Sequence, residues 1–129
     1  MMFNKTVTLY NTYEQDFTSR PIPKLLKGVH IELTEGSVAA AEGDRAIDRL
    51  FIVIPFNGLK TGFTPSYEYE AAEDKTGLWT LKNGDYVTVG DTGAAESHAA
   101  LAARTRVFRI AEVKTLDFGS LPHWEVTAI

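Results

Sequence analysis

The sequence predicts a mainly β protein, a small antiparallel β-barrel or two-sheet sandwich with one short α-helix and two long loops. Three observations carry this. Apolar and polar residues alternate with period two in several short segments; one run is continuously apolar; and an Asn-Gly dipeptide separates two strand-like stretches. With 129 residues, 44% of them hydrophobic, the chain is expected to form one domain over residues 1–129, burying roughly 65% of its unfolded surface.

Thr6 to Tyr13 sets Val7 and Leu9 against Thr6, Thr8 and Tyr10, and Val29, Ile31 and Leu33 alternate with His30, Glu32 and Thr34. Both read as strands with one buried face, because successive side chains of a strand point to opposite sides. Leu50 to Ile54 has no polar phase, which predicts a central strand covered on both faces and ended by Pro55, a residue with no N–H for the ladder. Between Leu78 and Val89, Asn83-Gly84 predicts a hairpin with a two-residue type I′ turn. Thr105 to Leu116 and His123 to Ala128 are the last two strands, the second turning Trp124, Val126 and Ala128 inward.

Ala94 to Ala103 is the one stretch of helical composition, with Leu101 inside, Asp91 or Thr92 as cap and Arg104 near the negative end. The long connections are Glu35 to Asp48 and Asn57 to Thr76; connections beyond about 12–15 residues in a compact domain are usually functional or disordered.

Composition narrows the function classes. No cysteine is present, so disulfides, thiolate metal sites and cysteine nucleophiles are excluded. Thirteen basic against seventeen acidic residues, a net charge of -4, argue against a protein whose main task is neutralising nucleic-acid phosphates. No apolar run approaches the ~20 residues of a membrane helix and no signal segment opens the chain, so a soluble, cytoplasmically made protein without membrane contact is expected. The charges are segregated: Ser66 to Lys75 is acidic, and Arg104 to Lys114 is basic. These are either ordinary solvated faces or the two halves of a head-to-tail contact between copies.

The chemical motifs are thin. Asp91-Thr92-Gly93 matches the triplet of aspartic proteases, but only 36 residues follow it, and they begin with the alanine-rich segment; a polar turn is the better reading. Asp117-Phe118-Gly119 matches a kinase triplet with no other kinase element present, and reads as a turn. His30, His98 and His123 are isolated, and His123 with Glu125 would supply two metal ligands where three or four must converge. No catalytic residue, cofactor site or metal site is assigned. Trp79 and Trp124 fall on the apolar phase of their strands and read as core, whereas Phe63, Tyr67 and Tyr69 on the long connection read as interface anchors. With Glu70 from the acidic segment and Arg104, Arg106 and Arg109 from the basic one, they form the candidate subunit interface.

Five blocks in order give a resemblance: Thr8 to Asn11 (TLYN), Leu26 to Glu32 (LKGVHIE), Phe51 to Phe56 (FIVIPF), Gly77 to Asp91 (GLWTLKNGDYVTVGD) and Pro122 to Val126 (PHWEV). Together they resemble the small head-tail joining proteins (minor capsid or head-completion proteins) of tailed bacteriophages and prophages. The stretch before the last block, Gly119 to Pro122, is contracted relative to that family. The resemblance implies a non-enzymatic adaptor or stopper subunit. It would assemble with itself into a ring between the portal or adaptor protein and tail-side proteins, at the virion's head-tail junction. DNA would pass through the ring with at most passive contact, and the Asn57 to Thr76 loop would line the channel or reach the next ring. A small β-barrel module binding a bacterial ligand or peptide is the alternative class, and a dimeric aspartic protease a remote third.

Overall fold

The computed structural model describes residues 2–12, 21–40 and 43–129, with backbone alone at 37–40 and 43–47. Six strands, β1 (Lys5–Asn11), β2 (Ile22–Ala40), β3 (Gly43–Pro55), β4 (Tyr86–Val89), β5 (Phe108–Leu116) and β6 (His123–Ala128), are joined by helices α1 (Ser66–Ala71) and α2 (His98–Ala102). All pairings are antiparallel, and the order β1-β2-β3-β6-β5-β4 closes into a barrel. Of the two predicted architectures the barrel is the one formed.

Alternation builds the interior. Val7 and Leu9, Leu26 and Val29, Leu50, Ile52 and Ile54, and Trp124, Val126 and Ala128 make one buried cluster with Val87, Phe108 and Ile110. Each large apolar side chain removed from water contributes roughly 1.5–3 kcal/mol, so this cluster dominates the stability of the fold. β3 is covered on both faces where expected: Val53 is as buried as its neighbours Ile52 and Ile54. Its ladder ends at Pro55↔His123. A register shift between Ile110 and Glu112 resets the phase of β5, which is why Val113 still packs on the core.

Several expectations need correction. Glu35 to Asp48 is not a loop: β2 and β3 stay paired from Glu35↔Asp48 through Ala40↔Gly43, forming a two-stranded arm beyond the barrel. Residues 41 and 42 of that connection, like Tyr13 at the end of the first predicted strand, lie outside the described residues. The Asn83-Gly84 turn exists, with the Asp85 N–H donating to the Lys82 carbonyl at 3.3 Å, but no positive φ occurs at Asn83, so it is not type I′. Its flanks do not pair with each other. β4 instead joins β1 and β5, while the segment before the turn makes a parallel bridge, Phe63↔Trp79.

The helical content is two short helices rather than one. α2 is capped by Ser97, whose Oγ accepts from the Ala100 N–H at 3.1 Å, in place of Asp91 or Thr92. Leu101 is inside as predicted, packed with Tyr10 and Ala95 over the outer face of β1. The Asn57 to Thr76 connection contains α1 and is docked on the barrel end.

Candidate functional site

Two buried polar networks fix the frame on which the site is built, and each joins two of the sequence blocks. Asn11 and Asp85 are both about 1% exposed. The Asn11 amide donates to the Thr80 carbonyl at 2.8 Å and to Asp85 Oδ2 at 2.9 Å, and its Oδ1 accepts from the Thr80 N–H at 3.1 Å. Thr12 Oγ1 donates to Asp85 Oδ1 at 2.7 Å, and Lys82 Nζ lies 3.8 Å from the same oxygen. Burial pushes the Asp85 carboxyl above its ordinary range, against the pull of Thr12, Asn11 and Lys82. Most buried polar groups in folded proteins are paired in this way.

The second network takes in the protease-like triplet. Thr92 Oγ1 sits 2.6 Å from both Tyr10 Oη and Thr88 Oγ1, Tyr10 Oη donates to the Gly93 carbonyl at 2.5 Å, and the Thr92 N–H donates to Thr8 Oγ1 at 3.2 Å. Thr92 and Gly93 thus lock the segment leading to α2 onto β1, with Asp91 exposed beside them.

The barrel end next to this frame is plugged by aromatic rings. Phe56, Phe63 and Trp79 surround Trp124 with centroid distances of 4.3, 4.5 and 5.5 Å. The Trp79 indole N–H donates to the Thr61 carbonyl at 2.9 Å, and its backbone N–H to the Gly62 carbonyl at 3.0 Å. Only glycine fits at 62: φ is +80°, and a Cβ would fall 2.2 Å from the Gly77 carbonyl oxygen. Both tryptophans are core, as predicted.

Beside the plug the barrel wall is incomplete. β4 and β5 pair only at Tyr86↔Arg109 and Val87↔Phe108, extended by the Gly84 N–H to Ile110 carbonyl bond and the Ile110 N–H to Asp85 carbonyl bond, both 2.8 Å. From Glu112 to Leu116, β5 is laddered to β6 alone among the described strands. A groove of 630 Å³ lies beside that open edge, lined by Phe63, Pro65, Ser66 and Tyr67, by Leu81, Lys82 and Asn83, and by Val113 and Thr115 of β5. An open strand edge beside apolar side chains is the geometry that accepts an added strand.

The predicted interface residues divide. Phe63 and Tyr67 come together in this groove, Tyr67 being 73% exposed. Tyr69 is a correction: it is fully buried on the opposite face of α1 and anchors the helix to the barrel. Glu70 is paired with Lys82 of its own chain. Arg104 donates to the Ala94 carbonyl at 2.7 Å and Arg106 pairs with Asp48 and, at 3.7 Å, with Glu35 at the base of the arm. Arg109 is exposed on β5 and lines a separate polar hollow with Thr12, Glu70 and Lys82. Of these residues, Glu70 and Arg106 form ion pairs within the chain, and neither pairs the acidic segment with the basic one.

Sequence reasoning missed Asn11 and Asp85, although an Asn ending one strand and an Asp opening another were signals for a buried pair. It also missed the exposed Leu33 and Val89, which with Ile31 and Phe108 line a small apolar hollow at the arm base. The histidines are scattered. His30 lies 3.2 Å from Glu32 and His123 3.2 Å from Glu125, while His98 stacks on Tyr86 at 4.2 Å. Among the described residues no three potential metal ligands converge. The Leu121 carbonyl and, after it, Glu125 hold the His123 imidazolium above its ordinary range, against partial burial. Asp117-Phe118-Gly119 is part of the turn between β5 and β6, with Gly119 at φ +82° and Phe118 71% exposed. No described helix is long and apolar enough to cross a membrane.

Fold and groove together define a small closed-barrel protein with an open-edged strand and a projecting arm. Over residues 2–129 the chain matches a family described as Family of unknown function (DUF6751), and it belongs to that family. No curated protein and no solved structure matches it.

Proposed function

We propose that the chain is a non-enzymatic structural subunit of a phage or prophage virion, a head-tail connector of the adaptor or stopper kind. It assembles with itself into a ring between the portal or adaptor protein and tail-side proteins, and DNA crosses the ring with no more than passive contact. It is made in the host cytoplasm and ends at the head-tail junction of the particle. The observation that carries this reading is the division of the molecule. A barrel filled by its own side chains holds a docked cap, while the arm and the open β5 edge lie outside that core with no partner strand among the described residues. Packing that is complete inside and unfinished at two peripheral places suits a subunit that folds alone and is completed by neighbours. The docked Asn57 to Thr76 segment favours contact with a neighbour through Tyr67 over a free loop reaching into a channel.

The groove also supports a second reading, a barrel module that binds an extended peptide along β5. The genes flanking this one, together with mass spectrometry of purified particles, separate the two. Portal, capsid and tail-tube genes on either side, with the protein present in tailed particles and absent from tailless heads, are the expected result. Metabolic or secretory neighbours and no particle-associated protein would overturn the connector reading.

A further inference from the structure

We propose that His123 is a pH-sensitive latch: as an imidazolium it clasps the turn between β5 and β6 to Glu125, and on losing its proton it drops one end of that clasp and loosens the turn. The turn has few other ties. Residues 117–122 connect Leu116 to His123, the last pair of the β5–β6 ladder. The Phe56 N–H donates to the Pro122 carbonyl at 3.0 Å. Among the described residues, 117–121 have no hydrogen bond to the barrel besides the one from the His123 ring to the Leu121 carbonyl.

The ring is held at both ends. Nδ1 lies 2.7 Å from the Leu121 carbonyl oxygen and Nε2 3.2 Å from Glu125 Oε1. A carbonyl and an ionised carboxylate only accept, and a neutral imidazole has one N–H, so the imidazolium alone donates to both. With the proton on Nε2 the neutral ring loses the turn. With the proton on Nδ1 it keeps the carbonyl but sets a lone pair against Glu125 and loses its anchor on β6. The surrounding charges are few. His123 stands opposite Leu116 on β5 and Pro55 on β3, and Glu125 opposite Lys114 and Val53. Lys114 lies 3.7 Å from Glu112, and Asp117 is exposed in the turn. Phe51, Val53 and Pro55 put no charge on this face of β3, Lys60 beyond it lies over the Phe56 ring at 4.8 Å, and His30 and Glu32 pair with the far side of β3. Glu125 is the carboxylate within ion-pair distance of the ring.

The Leu121 carbonyl and then Glu125 raise the folded-state pKa of His123. The stability the clasp supplies is therefore fully present below the unfolded value of about 6.5 and is lost as pH rises through the folded value. The turn it governs is an apolar tip, with Phe118 71% and Leu121 39% exposed.

NMR of the full chain from about pH 5 to about pH 9 tests the latch, following the three imidazoles and the amides of Gly119, Ser120 and Leu121, with heteronuclear NOEs at both ends of the range. Expected are a His123 midpoint above ~6.5, turn amides that shift with that same midpoint, and NOEs at 119–121 that fall at high pH. Glu125→Gln should lower the midpoint, and His123→Gln should abolish the pH response of the turn, whereas His30→Gln, across β3, should leave it unchanged. A His123 midpoint at or below ~6.5, turn amides that do not follow it, or a turn equally ordered at both ends of the range overturns the latch. Wild type alone decides these three outcomes, whether or not the variants fold.

Discussion

Asn11 and Asp85 are 74 positions apart, yet a single hydrogen bond between them ties the first strand to the turn that opens the fourth. Removing the side-chain amide takes a partner from a buried carboxylate oxygen and from both the carbonyl and the N–H of Thr80, at roughly 1–3 kcal/mol for each group left unpaired. Urea denaturation of Asn11→Ala should therefore show a loss of about 2–4 kcal/mol. Asp85 itself has a folded-state pKa raised by burial, so the folded chain binds its proton more tightly than the unfolded chain does. The stability this supplies is fully present below the unfolded value of about 3.9 and is lost as pH rises through the folded value. Wild type should lose stability relative to Asp85→Asn across that window, measured as the difference between their denaturation midpoints at each pH. The residue scale is also where legibility failed most. Trp79 and Trp124 were readable because strand phase alone assigns them inward. Tyr67 and Tyr69 read alike as residues of one acidic loop, and only the short helix puts one in solvent and the other in the core.

At the scale of elements, regular alternation was legible and pairing was not. Leu50 to Ile54 announced a strand covered on both faces because nothing polar interrupts it. The arm was invisible for the opposite reason: beyond Ile31 one phase of β2 is no longer buried, Leu33 being 46% exposed, so the apolar period fades while the backbone ladder continues. Asn83-Gly84 signalled a turn correctly but not the partners of its flanks, which tertiary contacts with β1, β5 and Phe63 decide. The cap depends on a single close approach. Gly62→Ala should destabilise the protein by more than ~1 kcal/mol and red-shift tryptophan emission as Trp79 loses its cover. Replacing residues 37–46 with a short turn should leave the barrel within about 1 kcal/mol of wild type, because among the described strands this stretch is laddered only to itself. Thermal or urea melting of both variants checks this contrast.

For the molecule as a whole, segregated charge along the sequence suggested surfaces aimed at other copies, and the fold uses part of it internally. Glu70 with Lys82, and Arg106 with Glu35 and Asp48, are pairs within one chain, so these two residues of the segregated segments have partners inside the fold. What remains unsatisfied is geometric: a strand edge and a ribbon. Tyr67→Ala should leave stability within ~0.5 kcal/mol, since the ring is 73% exposed, while weakening self-association measured by sedimentation at several protein concentrations. Hydrogen exchange on the monomer and the assembled form tests the account most directly. It predicts that the Asn57 to Thr76 cap is protected in both, whereas 34–40, 43–49 and 112–116 exchange quickly in the monomer and gain protection together on assembly. An arm already as protected as the barrel strands in the monomer, or assembly that leaves both segments unchanged, would contradict it.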